Sequence, residues 1–308
     1  MTELHPDIII RYIRTKNKTR KLATYRSVDC DLRKKHEQIE QFLTAWFVPS
    51  IFAKGYVKNR SIFHNAQSHM YNDHFVMLDI KDFFPHICHK QLSEKLYYEL
   101  NRSGKNVVAK SECNDIVDIC SIGSRGLPLG FVTSPTLSNL YLKEFDGIFY
   151  GKLKKLGLNN VIYTRYADDL TISFKTVTAP ELSKIEESIV QIAQQLLKRY
   201  GLQLNMHKTR SYDLRVSNHV RITGVNVIVS EGNRRRLSAG RSLKNKLFWD
   251  AIECAETRDP VKTAHVKGMQ SFILSVEKEG YETCFSKAMI QKVESLGFSS
   301  LKELIDSL

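Results

Sequence analysis

Apolar and polar positions alternate with two different periods along this chain, and the switches between them predict its elements. Lys35 to Trp46 carries apolar residues at Ile39, Phe42, Leu43 and Trp46, a helical spacing. The run FVMLDI, residues 75–80, is short and apolar, as a buried strand is. His89 to Leu100 predicts a helix with Leu92, Leu96 and Leu100 on one stripe. A loop rich in Gly and Pro, Gly126 to Pro135, leads into a further helix over Thr136 to Phe149. Val161 to Tyr166 and Leu170 to Phe174 predict two strands closed by a turn at Ala167–Asp169, where Asp tolerates a left-handed backbone. Pro180 to Tyr200 is a long amphipathic helix stopped by Gly201. Val220 to Val229 alternates and predicts one strand, and from Ser238 onward the pattern is helical, broken at Pro260. Helices and strands are intermixed, so the expected class is α+β.

Charge narrows the partners. The 308 residues carry a formal net charge of +13, which points to an acidic partner, nucleic acid or an anionic membrane. Much of the surplus lies early, at Arg11, Arg14, Arg20, Lys21, Arg26, Arg33, Lys34 and Lys35. The longest apolar run, Phe42 to Ala53, is interrupted by Thr44, Pro49 and Ser50 and is too short to span a bilayer. The start, MTELHPD, lacks a signal-peptide pattern, and the six cysteines form no Cys-x-x-Cys pair. A reduced cytoplasmic protein without a structural zinc site or membrane partner is the expectation.

Three aspartates are out of place. Asp79 ends the apolar run 75–80, and Asp168 and Asp169 sit together in the turn of TRYADDLTIS. A buried carboxylate is costly without a partner, and three side by side raise one another's pKa. Each residue alone is also compatible with a solvated turn or a strand-end cap. As a set, they form a hard oxygen cluster suited to Mg2+. Two such ions about 4 Å apart serve phosphoryl transfer from a 3′-hydroxyl.

Four ordered segments carry a resemblance. LDIKDFFPHI, GLPLGFVTSPTLSNLYL, YTRYADDLTIS and LNMHKTR together resemble the palm motifs of reverse transcriptases. Asn65-Ala66-Gln67-Ser68-His69, Ile222-Thr223-Gly224 and HVKGMQSFILSV (265–276) are similar to elements of the retron branch. The match runs from about residue 30 to about residue 278, with no RNase H or endonuclease domain expected beyond it.

The resemblance implies a right-hand polymerase fold, with fingers and palm over residues 1–230 and a helical, nucleic-acid-binding thumb over 231–308. It implies Asp79, Asp168 and Asp169 as ligands of two Mg2+ ions, with the Ile80 carbonyl a further ligand and Lys208 a general acid toward pyrophosphate. Phe84, five residues past Asp79, falls at an aromatic steric gate, and Phe84→Ala is expected to admit ribonucleotides; plain core packing of Phe83 and Phe84 is the competing reading. Arg60 falls where related fingers grip the triphosphate, or is a surface arginine. Gly130 allows a tight loop over the nucleotide, and Leu129 departs from the family's usual Gln. Asn65, His69, Thr223 and Gly224 are expected at RNA or in a structural role. Arg234, Arg235, Arg236, Arg241 and Lys244 are expected on a thumb helix tracking RNA phosphates, or on a solvated charged face.

By the same resemblance the protein is a retron-like RNA-directed DNA polymerase using dNTPs. It copies part of a structured non-coding RNA into a branched DNA copy joined to RNA, with a host RNase H acting on the product and a separate effector protein in anti-phage defence. Another defence or group II intron-like reverse transcriptase is the alternative, as is a non-catalytic RNA-binding scaffold.

Overall fold

A computed structural model describes residues 4–15, 18–175, 179–230, 232, 234–277 and 280–308. The chain divides into two compact units, Met1–Ser61 with Asn72–Tyr212, and Ile62–Tyr71 with Asp213–Leu308. The class is α+β.

The first unit opens with a two-stranded antiparallel ribbon, β1 (Ile8–Thr15) and β2 (Lys18–Tyr25). The sequence shows this segment chiefly as a basic run. Its apolar base, Ile8 and Ala23, packs with Leu32 and Phe131, and its distal half carries exposed Arg and Lys. Helix α1 (Asp31–Trp46) follows; α2 (Ile62–Ser68) belongs to the second unit. Then come β3 (His74–Asp79), the single turn α3 (Phe83–His86), α4 (His89–Leu100), α5 (Lys110–Ile119) and the long α6 (Ser134–Lys154). The hairpin β4 (Ile162–Tyr166) and β5 (Asp169–Phe174) leads to α7 (Ala179–Arg199) and β6 (Arg210–Asp213).

The sheet order is β4-β5-β3-β6. Its buried side chains, among them Val76, Leu78, Leu170 and Ile172, join Leu92 and Leu96 of α4, Leu137 and Phe145 of α6 and Leu196 of α7 in one core. Such burial stabilises by roughly 1.5–3 kcal/mol per large side chain. It also sets the strand register, because a one-residue slip would turn the apolar face outward.

One half-buried acid is a liability. Glu40 on α1 accepts from Thr136 Oγ1 at 2.5 Å, while its Oε2 is buried without a partner among the described residues. Burial pushes its carboxyl up to about 7 from an ordinary 4.5. A raised acid contributes full stability below its unfolded pKa and loses it as pH rises through the folded value. Glu40→Gln is therefore expected to stabilise by roughly 1–2 kcal/mol at about pH 8, discounted for partial exposure, and by nothing at about pH 4. Thermal melts at the two pH values check this, and a gain that is the same at both would refute the assignment.

In the second unit α2 packs against a three-stranded sheet, β7 (His219–Ile222), β8 (Val225–Ser230) and β9 (Arg234–Ser238), preceded by the turn α8 (Leu214–Ser217). Helices α9 (Arg241–Thr257), α10 (Pro260–Val276), α11 (Lys287–Ser295) and α12 (Leu301–Ser307) complete it. Pro260 opens α10, where a missing N–H costs nothing.

Two expectations are corrected here. Val220 to Val229 is a hairpin, because Thr223 and Gly224 both take left-handed φ, 45° and 97°, and turn the chain between β7 and β8. A two-residue turn preserves alternation, so the pattern alone runs straight through it. Arg234, Arg235 and Arg236 lie on strand β9 rather than a helix, pairing with Ser230, Val229 and Ile228.

Candidate active site

The site begins with a register. β3 and β5 pair antiparallel so that Asp79 stands directly opposite Asp169, and β4 closes the hairpin with Tyr166 opposite the same residue. The left-handed residue of the turn is Ala167 (φ 56°), not either aspartate. Ile80, buried, donates its amide to Asp168 O at 2.9 Å, and Asn205 N donates to Asp79 O at 2.8 Å. The end of β3 is thus held from both sides by backbone.

Electrostatics follow from that crowding. Asp79 is only 6% exposed. Burial and then the Asp79 charge raise Asp168, while burial, Asp168 and Asp79 push Asp169 up to about 6 from 3.8. Lys208 reaches in from the segment after α7, its Nζ donating to Asp79 Oδ2 at 2.7 Å, and that hydrogen bond raises its own pKa. With a side chain 60% exposed, Lys208 forms an ion pair of modest stabilising value. Among the described residues no three His, Cys, Asp or Glu side chains converge as a ready-made metal cage; one Asp79 oxygen faces Lys208 instead. The fit to a divalent ion rests on donor chemistry. Three mutually repelling carboxylates supply hard oxygens, and a hard dication relieves their repulsion.

The turn stands on a buried ion pair that the sequence reading missed. Arg165 and Asp146 are both fully buried, joined by Nε to Oδ1 and Nη2 to Oδ2, each at 2.8 Å. Tyr163 donates to the same carboxylate at 2.8 Å. Arg165 Nη1 donates to Asn139 Oδ1 at 3.0 Å, with a longer contact of 3.4 Å to Ala167 O. Asn139 in turn donates to Gly55 O at 3.0 Å. The available signal was a lone Arg in an apolar strand and a lone Asp in an apolar helix stretch.

The loop before α6 lies against the ribbon. Ala23 N donates to Leu129 O at 2.8 Å, and a Cβ at Gly130 would fall 2.3 Å from Ala23 O, so only glycine fits there. Leu129 is half-buried against the core. His36 Nε2 faces Ile119 O at 2.9 Å and must donate to it, which leaves Nδ1 to accept from Tyr25 OH at 2.8 Å. The Tyr25 phenol oxygen, Oη, in turn accepts from Val132 N at 3.1 Å. The strand β2 and the Leu129–Gly130 loop are therefore tied at two points. Phe84 sits one turn past Asp79, with its carbonyl accepting from Leu127 N at 2.9 Å.

Other expected residues fall elsewhere or face other partners. Arg60 Nη1 donates to Ser50 O and Ala53 O, both at 2.6 Å, and braces its own loop. A ribbon cation whose charge bears on Asp168 is Arg20 of β2, which in the sequence is one residue of a basic run. In the second unit, Asn65 (1% exposed) donates to Thr223 Oγ1 at 3.1 Å, which ties α2 to the β7–β8 turn that Gly224 completes. His69 is fully buried as well. Of the two roles expected for these side chains, burial matches the structural one. Lys244 is likewise corrected. It is buried and paired with Glu277 at 2.9 Å, and the same carboxylate accepts from Ser238 Oγ and Ala239 N. An ammonium held this way is withdrawn from phosphate. Arg234, Arg236 and Arg241 are exposed, and Arg235 is half-buried. Among the described residues no helix is long and apolar enough to cross a membrane.

The sequence profile of the family described as reverse transcriptase (RNA-dependent DNA polymerase) matches residues 15–227. The chain is 34% identical to the retron Ec73 reverse transcriptase of Escherichia coli over 152 residues, 44% of this chain and 47% of the relative. It is 29% identical to the retron Ec86 reverse transcriptase of Escherichia coli over 232 residues, 75% of this chain and 65% of the relative. To the retron Mx162 reverse transcriptase of Myxococcus xanthus it is 30% identical over 238 residues, 72% of this chain and 48% of the relative. The chain thus spans between about half and two thirds of the length of these relatives.

Proposed function

This chain belongs to the reverse transcriptase family, and from that premise we propose that it is a retron-type RNA-directed DNA polymerase. In this reading it copies part of a structured non-coding RNA, from dNTPs, into single-stranded DNA joined to RNA by a branch. The observation that carries the reading is the register that sets Asp79 opposite Asp169 with Asp168 in the adjoining turn.

Family members use divalent metal ions. Here Asp79, Asp168, Asp169 and the Ile80 carbonyl would hold two Mg2+ ions, which supply charge stabilisation at the transferring phosphate. The chain's own groups do the rest. The carboxylates fix the position of that charge. Lys208 holds a proton on Nζ beside the site, available to the leaving pyrophosphate. Arg20 offers its guanidinium to the triphosphate from the ribbon, with Arg60 bracing the neighbouring loop. Leu129 and Gly130 offer the nucleotide an apolar and backbone surface, with Phe84 at the aromatic position beside it.

The first unit then corresponds to fingers and palm and the second to the thumb. Arg234, Arg236 and Arg241 are the cations we assign to phosphate contact, with Arg235 beside them. A host RNase H acts on the product, an effector protein completes an anti-phage system, and the protein works in the cytoplasm.

The test is to purify the protein from cells that carry its neighbouring genes and sequence what co-purifies. DNA covalently linked to RNA is expected. RNA alone, together with no primer extension in vitro, would favour a non-catalytic scaffold.

A further inference from the structure

Phe84 faces a difficulty as a gate. Only 8% of it is exposed, and its ring packs on Phe83 with centroids 5.3 Å apart. The accessible aromatic beside it is Tyr56, 49% exposed, which stands edge-on to Phe84 at 6.4 Å and 78° and lies 6.3 Å from the Tyr166 ring. Tyr56 is also close enough to Asp168 for that carboxylate to add to the effect of burial in raising the phenol pKa.

The backbone that presents this ring is strained and held. Tyr56 has φ 58°, a left-handed conformation that a bulky side chain avoids. Such strain persists only where the surroundings over-determine it, and it clusters at functional sites. The surroundings here are specific. A Cβ on Gly55 would lie 3.0 Å from Ala167 N and 3.2 Å from the Tyr166 ring, so the chain presses directly on the YADD turn. Gly55 O is held by Asn139, and Lys54 N donates to Arg165 O at 2.6 Å. The network that carries the aspartate turn therefore also holds the backbone that presents Tyr56 beside it.

We infer that Tyr56 is a specificity-determining residue of this site, forming with Phe84 an aromatic wall against the sugar of the incoming nucleotide and supplying the part of that wall the sugar meets. A 2′-hydroxyl pressed on a ring edge loses water and gains no partner, which disfavours ribonucleotides. The inference rests on the polymerase reading above.

Single-nucleotide extension with matched dNTP and rNTP tests it in the wild type and in Tyr56→Ala, Tyr56→Phe, Phe84→Ala and the Tyr56→Ala/Phe84→Ala pair. Tyr56→Ala is expected to lose roughly tenfold or more of the preference for dNTP in kcat/KM. Tyr56→Phe keeps the preference, because the ring does the excluding. The double variant loses less than the product of the single losses, since both residues form one wall. If Tyr56→Ala proves unstable, Tyr56→Asn replaces it, because Asn accepts the left-handed backbone. An unchanged preference in a folded Tyr56→Ala or Tyr56→Asn overturns the inference. A loss in Tyr56→Phe as large as in Tyr56→Ala overturns it too. A wild type that extends no primer would instead overturn the polymerase reading itself.

Discussion

The double replacement Asp168→Asn with Asp169→Asn is expected to abolish RNA-templated DNA synthesis while leaving the fold intact or slightly firmer. The amide is nearly isosteric with the carboxylate, so the hairpin, whose pairs run from Tyr166 opposite Asp169 to Ile162 opposite Ser173, should survive. What disappears is charge. With Asp169 raised to about 6, its carboxyl is still mostly ionised at neutral pH, and the replacement removes the negative charge carried by the turn. Removing that charge takes away several kcal/mol of transition-state stabilisation, a loss on the order of 10^3-fold or more in rate. Stability should move the other way. An acid whose folded pKa is raised from 3.8 to about 6 contributes full stability below 3.8 and loses it as pH rises through about 6. The double amide escapes that loss, so its Tm near neutral pH should equal or exceed that of the wild type, as expected where function holds a strained arrangement. Primer extension and thermal melting decide together. Synthesis retained within about tenfold, or lost only alongside a collapse of Tm, would reject the assignment.

Asp146→Ala is expected to be the most destabilising single change near the site, by about 3–5 kcal/mol. It strands the Arg165 guanidinium, fully buried and unable to discharge, after removing a bidentate carboxylate that also accepts from Tyr163. Arg165 links to Asn139 and, weakly, to the carbonyl of Ala167, so the Asp168–Asp169 turn is expected to loosen with it and synthesis to fall too. The pair itself contributes less than its breakage costs. Asp146→Leu with Arg165→Met should recover much of the lost stability, because two apolar chains need no partner. Denaturant unfolding measures both variants. A loss under about 1 kcal/mol in Asp146→Ala would mean that Arg165 finds another acceptor.

Local pattern and long-range contact divided the rest between them. Strand β3 was legible as a short continuous apolar run, β4 and β5 as two strands about a turn, and helices α4 and α7 because their apolar residues recur at one period over a whole element. Three aspartates ending or joining apolar strands were legible for a related reason, since charge in such a run has few structural uses. The β1–β2 ribbon was obscured because its Arg and Lys residues were counted as charge, although Ile8, Ile10 and Ala23 mark one of its faces. The β7–β8 turn was obscured because alternation continues across two residues.

For this protein the amino-acid order determined the elements around the site and the chemistry of its carboxylates, because both depend on neighbours a few positions away. Only the tertiary structure decided what each charge faces. It set Lys208 on Asp79, Arg165 on Asp146 and Lys244 on Glu277, turned Arg60 to its own loop, brought Arg20 within electrostatic reach of Asp168 and brought the Tyr56 ring to Phe84. The physical reason is that a charge pairs with whatever the folded backbone carries to within a few ångströms. Partners such as Lys208 and Asp79, 129 positions apart, leave no periodic trace along the chain.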